Sequence, residues 1–536
     1  MKLDITRRQL LGLGIGGAQL ALMNRFGLLE GRAHAAPRAG APTRLLTLYL
    51  SGGYAPQYMW GGITPEQVPS YIPPLQGAGV GETAFYTADD LIEVGAGGGG
   101  FNPLTVARSW DPADPGSRQT VNGRKYLPLG YSWQEHDLFG QTTVVHGIDQ
   151  GTAAHASGYV SAMCGVAGGE YRSPAMQCVV ANALYETTKD FRPLPCVALD
   201  SRGMPVPLDL PSSSAPIYVP ALNSLRESLS DDDMQSWWRG LNARTEVEAK
   251  NWAGEIDGNA RRTLLESAIL DATRGLSGKS QSAGTEKHLK ALYDGFSDVS
   301  KVLARDVVSV LNNTPGIEFL TENPSFGGTQ PYNMGPWGYT YGLADENVTS
   351  GAFDNVFDMA LRLMKADLTS SIHLYMPQFY YDTHSGQPGH RRNYLNTRGG
   401  LDVIARFLGE MKMTTVNGKS LLDDTLVVIF SEFSRTWAHG SGQDFYYNDD
   451  HWPYTSVTFA GGGVAGGRTI GGYDVENFSL GPRGLPVGVR EEGGEQTTRP
   501  PRSADIVATV CSIMGLELND FFIPGGYGEI LGVRAS

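Results

Sequence analysis

The chain has few of the features that mark several common protein classes. Only four cysteines occur in 536 residues, Cys164, Cys178, Cys196 and Cys511, and none has C-x-x-C spacing. That argues against a zinc–thiolate centre, and Cys178 and Cys196, set in apolar runs, read as buried free thiols. Charged residues make up 18% and the net charge is -14. A nucleic-acid partner needs a basic face, so that class is not expected. Beyond the amino terminus no apolar stretch approaches the roughly 18 residues of a membrane span. No internal repeat is present, which speaks against an envelope structural protein.

Glycine is abundant, at 69 residues, and predicts long turns and irregular loops. Some of it lies in the amino-terminal segment, where Gly12-Leu13-Gly14-Ile15-Gly16-Gly17 has a dinucleotide-loop pattern but follows no strand. This segment reads as an export leader. Thr6-Arg7-Arg8-Gln9-Leu10-Leu11 is a twin-arginine motif, an uncharged run extends from Leu10 to Met23, and Ala33-His34-Ala35 is an A-x-A cleavage signal. Residues 1–35 are therefore expected to be removed, with the protein periplasmic or secreted. In that compartment a disulfide can form. The leader has five basic residues against two acidic ones, so the remainder is more acidic than the whole. Residues 36–43, rich in Pro, Ala and Gly, read as a linker.

From residue 44 apolar strands alternate with amphipathic helices. Leu45–Leu50, Thr142–Gly147, Leu194–Leu199, Ile372–Met376, Thr425–Phe430 and Ser456–Ala460 read as strands. Helices are expected over His155–Gly165, Ala175–Tyr185, Asn355–Leu368, Gly400–Met413 and Ala504–Met514, the last capped by Ser503 and stopped by Gly515. Several strands are apolar throughout. The pattern predicts an α/β fold with a mainly parallel central sheet and helices on both faces. Residues 54–135 read as loops and short elements, including the glycine run 95–100. Residues 242–313 read as a helical insertion.

Chemistry-bearing residues gather just beyond predicted strands. Tyr381-Asp382-Thr383-His384 follows one, and Ser431-Glu432-Phe433-Ser434-Arg435-Thr436 follows another. Asp449-Asp450-His451-Trp452-Pro453 lies in the loop beyond. Ligands of open α/β sheets bind at the strands' carboxyl ends, and carboxylates and imidazoles on separate loops suit a divalent metal. Trp452 is expected to pack over the site or core.

These motifs, with the strand ending in Gly52-Gly53, Leu422-Asp423-Asp424-Thr425-Leu426-Val427-Val428 and Gly461-Gly462-Gly463, resemble the domain-of-unknown-function family 1501. That family is placed among the alkaline phosphatase and sulfatase-like folds, which implies one such domain over residues 44–536. It implies an exported metal-dependent hydrolase of phosphate or sulfate esters, acting on a small-molecule or polymeric ester. The alternative is a non-catalytic relative that binds a ligand or partner in the same cleft. The resemblance implies Asp382, His384, Glu432, Asp450 and His451 as metal ligands for zinc, calcium or manganese. Asp450 is either a ligand or a partner of His451. Arg435 is implied as the residue that steadies a bound anion. Phe433 stands where the superfamily has a ligating His, and Ser51-Gly52-Gly53 where it has a metal-binding Asp. His155 stands at the nucleophile position, as nucleophile, base or further ligand.

Overall fold

The computed structural model describes residues 38, 40–55, 57–61, 91–95, 97–107, 119–121, 124–126, 131–166, 174–188, 191–199, 216–219, 310–311, 313–317, 351–376, 381–382, 387–436, 451–474, 483–491, 494–516 and 527–536. The leader, nearly all of the helical stretch 242–313, His384 and Asp450 lie outside the described residues.

Eleven strands frame the site: β1 (Arg44–Tyr49), β2 (Asn102–Pro103), β3 (Thr142–Asp149), β4 (Cys196–Leu199), β5 (Ile217–Val219), β6 (Ser371–Tyr375), β7 (Thr425–Phe430), β8 (Ser434–Arg435), β9 (His451–Trp452), β10 (Tyr454–Gly461) and β11 (Arg468–Gly471). All but β8 and β9 join one nine-stranded sheet in the order β2-β11-β3-β10-β7-β1-β6-β4-β5. Strands β7, β1, β6, β4 and β5 run parallel, and β11 runs parallel to β3. β10 is antiparallel to both β7 and β3, and β2 to β11. The sheet is thus mainly parallel, as expected. β8 and β9 pair as a short antiparallel ribbon at its rim.

The central strands are buried along their whole length because both faces are covered. Leu46 and Leu48 of β1, with Val427 and Ile429 of β7, point into a core built with α3 (Gly351–Lys365) and α4 (Gln387–Met413). Leu45 and Tyr49, with Leu426, Val428 and Phe430, point into a second core. That core is shared with α1 (His155–Cys164), α2 (Met176–Thr188) and α5 (Ser503–Met514). The fold is therefore a three-layer α/β/α arrangement. All four cysteines are buried free thiols. Among the described residues no helix is long and apolar enough to cross a membrane.

Several boundaries differ by a few residues from the sequence reading, and two of the differences have a local physical cause. α4 starts at Gln387 rather than Gly400. Pro388 fits a first helical turn, where its missing N–H costs nothing. Gly399 and Gly400 sit inside the helix, because packing of one face outweighs a propensity loss of about 1 kcal/mol per glycine. At α5, Arg502 rather than Ser503 occupies the cap position, and Asp505 accepts its backbone N–H at 2.8 Å.

The amino edge of the sheet is closed by an ionic knot. Arg44, 2% exposed, reaches both Asp367 and Asp424. Arg192 joins Asp367 at 2.7 Å and donates to the Thr43 carbonyl at 2.6 Å. The opposite, carboxyl edge is left for chemistry.

Candidate metal centre

Four connections converge on the carboxyl edge. β1 runs into the turn Ser51-Gly52-Gly53, and Asp382 lies beyond the end of β6. β7 runs into Ser431-Glu432, and β3 leads to the start of α1 at His155. His451 arrives differently. It precedes β10, and because β10 is antiparallel to β7, its amino end lies at the same edge as the carboxyl ends of β1, β6 and β7.

The turn after β1 is made of backbone contacts. Gly52 has φ +109°, and a Cβ there would lie 2.3 Å from the Asp382 backbone nitrogen, so only glycine fits. Its N–H donates to Glu432 Oε1 at 2.8 Å. Its carbonyl accepts from Arg435 Nε at 3.0 Å and Nη2 at 2.6 Å. The segment after β7 thus grips the turn after β1 from both polarities.

Glu432 is fully buried. Besides Gly52, its carboxyl meets the Ser431 hydroxyl at 2.8 Å and His155 Nδ1 at 2.7 Å. Tyr49 also meets it; burial first, and then this carboxyl, push the Tyr49 hydroxyl well above its ordinary value. α1 approaches closely enough for the His155 contact because residue 158 is glycine. A Cβ there would lie 2.7 Å from the Glu432 carbonyl oxygen.

The other ring nitrogen of His155, Nε2, is 3.4 Å from Asp382 Oδ1. The hydrogen bonds to Asp382 and Glu432 outweigh desolvation and raise the imidazolium pKa to about 9. Reciprocally, His155 and then Arg435 hold the Asp382 carboxyl well below the usual carboxylate range. Arg435 Nη2 donates to Asp382 Oδ1 at 2.6 Å. His451 donates from Nδ1 to the Ala153 carbonyl at 2.6 Å, which leaves Nε2 as the nitrogen turned to the other donors. Phe433 stacks on His451, centroids 4.2 Å apart at 29°, and also flanks His155 at 4.8 Å. The two imidazoles meet edge to face at 4.5 Å.

One ligand atom each from His155, Asp382 and His451 lies within 4.8 Å of the others. Around a tetrahedral ion, bonds of about 2 Å place ligand atoms about 3.3 Å apart, so closure draws these atoms together by up to about 1.5 Å. The donor set is two imidazoles and one carboxylate. Each is held from behind: His155 by Glu432, His451 by the Ala153 carbonyl, and Asp382 by Arg435. Such outer contacts orient the ligands of natural metal sites.

The structure therefore brings five of the expected residues together: His155, Asp382, Glu432, Arg435 and His451. Two take other positions than the resemblance implied. Glu432 turns its carboxyl to His155 and the Gly52 N–H. Arg435 is wholly buried, with its guanidinium on the Gly52 carbonyl and Asp382. Trp452, 3% exposed, packs on Tyr473 as expected, with centroids 5.1 Å apart. The sequence reading missed Gly158, the Ala153 carbonyl and Asn393 of α4. Asn393 is buried on the helix face beneath the β1 turn.

Fold and site together define a three-layer α/β protein with a metal-type donor cluster at the carboxyl edge of its sheet. Residues 339–529 match the family described as Protein of unknown function (DUF1501). Within that stretch lie Tyr381–His384, Leu422–Val428, Ser431–Thr436, Asp450–Pro453 and Gly461–Gly463, five of the motifs on which the resemblance stood; the strand end at Gly52-Gly53 lies outside it. No curated protein matches the chain. Among solved structures, the lipoteichoic acid synthase LtaP from Listeria monocytogenes aligns at 8% identity and a TM-score of 0.30. The alignment covers 96% of this chain and 81% of that one, a likeness too weak to transfer a function.

Proposed function

We propose that this is an exported, metal-dependent hydrolase of phosphate or sulfate esters, with one divalent cation held by His155, Asp382 and His451. The observation that carries the reading is the meeting of these three ligand atoms within 4.8 Å, each backed by its own hydrogen-bond partner. Two nitrogen donors favour zinc over manganese and over calcium, which prefers all-oxygen sites. A cation bound there supplies Lewis acidity and lowers the pKa of water. In this reading Glu432 and Arg435 orient ligands rather than touch substrate.

The charge count fits an anionic ester. Without metal, the cations Arg435 and His155 face the carboxylates Glu432 and Asp382, and the formal sum is zero. Exchanging the His155 proton for a divalent cation leaves the centre at +1, the sign that attracts a phosphate or sulfate group. Phe433 and buried Tyr49 line the cluster with apolar surface, which strengthens that attraction. In this reading the histidine at the start of α1 would serve as a ligand to the cation rather than as a nucleophile. The leader motifs support export through the twin-arginine route.

The same balanced cluster also favours a second reading. Its four charges satisfy one another without metal, as in a relative that binds a ligand and turns nothing over. Metal analysis of protein purified from the periplasm, followed by assays with aryl phosphates and aryl sulfates, separates the two. The hydrolase reading expects about one bound divalent ion per chain and turnover lost in Asp382→Ala. Metal-free protein with no turnover after addition of zinc or manganese would favour the non-catalytic reading.

A further inference from the structure

We propose that Asn393, on α4, is a positioning residue for this centre and sets its metal affinity from the helix side. The inference rests on the metal-site reading above. Asn393 is fully buried, in a helix whose neighbouring inward residues, Leu401, Ile404 and Leu408, are apolar. A buried amide among such residues is costly unless its polar atoms are bonded. Its Nδ2 donates to the Gly53 carbonyl at 3.2 Å and to the Tyr381 carbonyl at 3.1 Å. Its Oδ1 accepts the Ala55 N–H at 3.1 Å and the Thr397 hydroxyl at 3.3 Å.

Two of these contacts bear directly on the donor cluster. Tyr381 immediately precedes the ligand Asp382. Gly53 immediately follows Gly52, whose N–H meets Glu432 and whose carbonyl meets Arg435. One side chain thus ties the β1 turn to the segment carrying Asp382, and both to α4. The β1 turn and Asp382 also approach each other too closely for any side chain at residue 52. Such an approach holds only if both backbones are fixed. Asn393 bridges the two carbonyls, whereas Arg435 bridges Gly52 and the Asp382 carboxylate. The ligand is held through its backbone from one side and through its side chain from the other.

The test measures zinc binding, with the free metal buffered by a chelator, in the wild type and in Asn393→Ala and Asn393→Asp. Asp keeps the shape and the acceptor for Ala55 but turns an acceptor toward the two carbonyls, whereas Ala removes the contacts without that repulsion. Both variants should bind zinc about ten- to a hundredfold more weakly, the usual cost of losing an outer contact. Val510→Ala, in the opposite core, controls for stability: it should lower the melting temperature without changing zinc affinity. Unchanged zinc affinity in both Asn393 variants would overturn the inference. A wild type that binds no zinc or manganese would instead sink the metal reading. Positioning is then read from a crystal structure of Asn393→Asp, which should show Asp382 withdrawn from Arg435. A contact retained at its present 2.6 Å would overturn the inference independently.

Discussion

Metal uptake by this centre should release a proton, and its affinity should climb with pH. In the metal-free protein the contacts of His155 with Asp382 and Glu432 hold its proton up to about pH 9. A cation that takes Nε2 must displace that proton, since ligating imidazole is neutral. Below about pH 9 the apparent affinity should therefore rise tenfold per pH unit, and then level off. From pH 7 to 9 this reaches about a hundredfold, or about 2.7 kcal/mol at 1.36 kcal/mol per unit. The figure is a ceiling, because the His155 side chain is 37% exposed and solvent screens its partners. Calorimetric titration with zinc in buffers of different ionisation enthalpy counts the proton directly, and chelator-buffered titrations from pH 6 to 9.5 give the slope. A flat affinity profile with no proton released would refute the assignment of His155 as a ligand. The same group makes an opposite prediction for folding without metal. Its folded pKa is raised above the ordinary 6.5, so the stability it contributes is fully present below pH 6.5 and is lost as pH rises through about 9. With chelator present, the urea midpoint should fall over that window, and His155→Asn should flatten the fall.

Two further substitutions test how the site and sheet are built. Gly158→Ala would ordinarily gain about 1 kcal/mol in a helix. Here the added Cβ meets the Glu432 carbonyl oxygen at 2.7 Å and its Cβ at 2.9 Å, and such crowding typically costs about 1–3 kcal/mol. The clash should win, so both the melting temperature and zinc affinity should drop, and a more stable variant would show that α1 moves freely. At the opposite edge, Arg44→Met leaves the Asp424 carboxylate with the Thr43 hydroxyl and backbone N–H and, among charged groups, a Lys419 ammonium 4.0 Å away. Breaking a buried pair costs about 3–5 kcal/mol, and adding Asp424→Asn should restore part of it in urea unfolding. Equal losses from the single and double variants would show that the pair is not coupled.

What could be read from the sequence depended on the distance over which each feature is decided. β1, β6 and β7 were legible because a strand buried on both faces is apolar at most positions, a purely local signal. The end of α5 was legible for a similar reason, since Gly515 adopts the left-handed conformation that stops a helix (φ +70°). α4 was read too short because Gly399 and Gly400 disfavour a helix locally, while compensating contacts come from residues far away in the chain, such as the β1 turn held by Asn393. Asn393, Thr397, Gly400, Leu401, Ile404 and Leu408 recur at helical spacing, so the inward face was written in the sequence. The polar members of that face disguised it.

The donor residues were legible as residue types, but their tasks were not. A carboxylate after a buried strand is equally a ligand or the partner of a ligand. The choice for Glu432 is made by His155, 277 positions away, and by Gly52, 380 positions away. Arg435 illustrates the same limit. A guanidinium beside a cluster of acids can reach for an anionic substrate or hold the acids in place. Its complete burial, and a backbone carbonyl within reach of two of its nitrogens, decide for holding. His451 could be placed near the site by motif, yet the reason it arrives there is the reversed direction of β10, which no local pattern encodes. The chemistry of the centre is thus set less by which residues occur than by which backbone turns are pressed together. The least replaceable residues there are Gly52 and Gly158, whose lack of a side chain lets β1, Asp382, α1 and Glu432 meet.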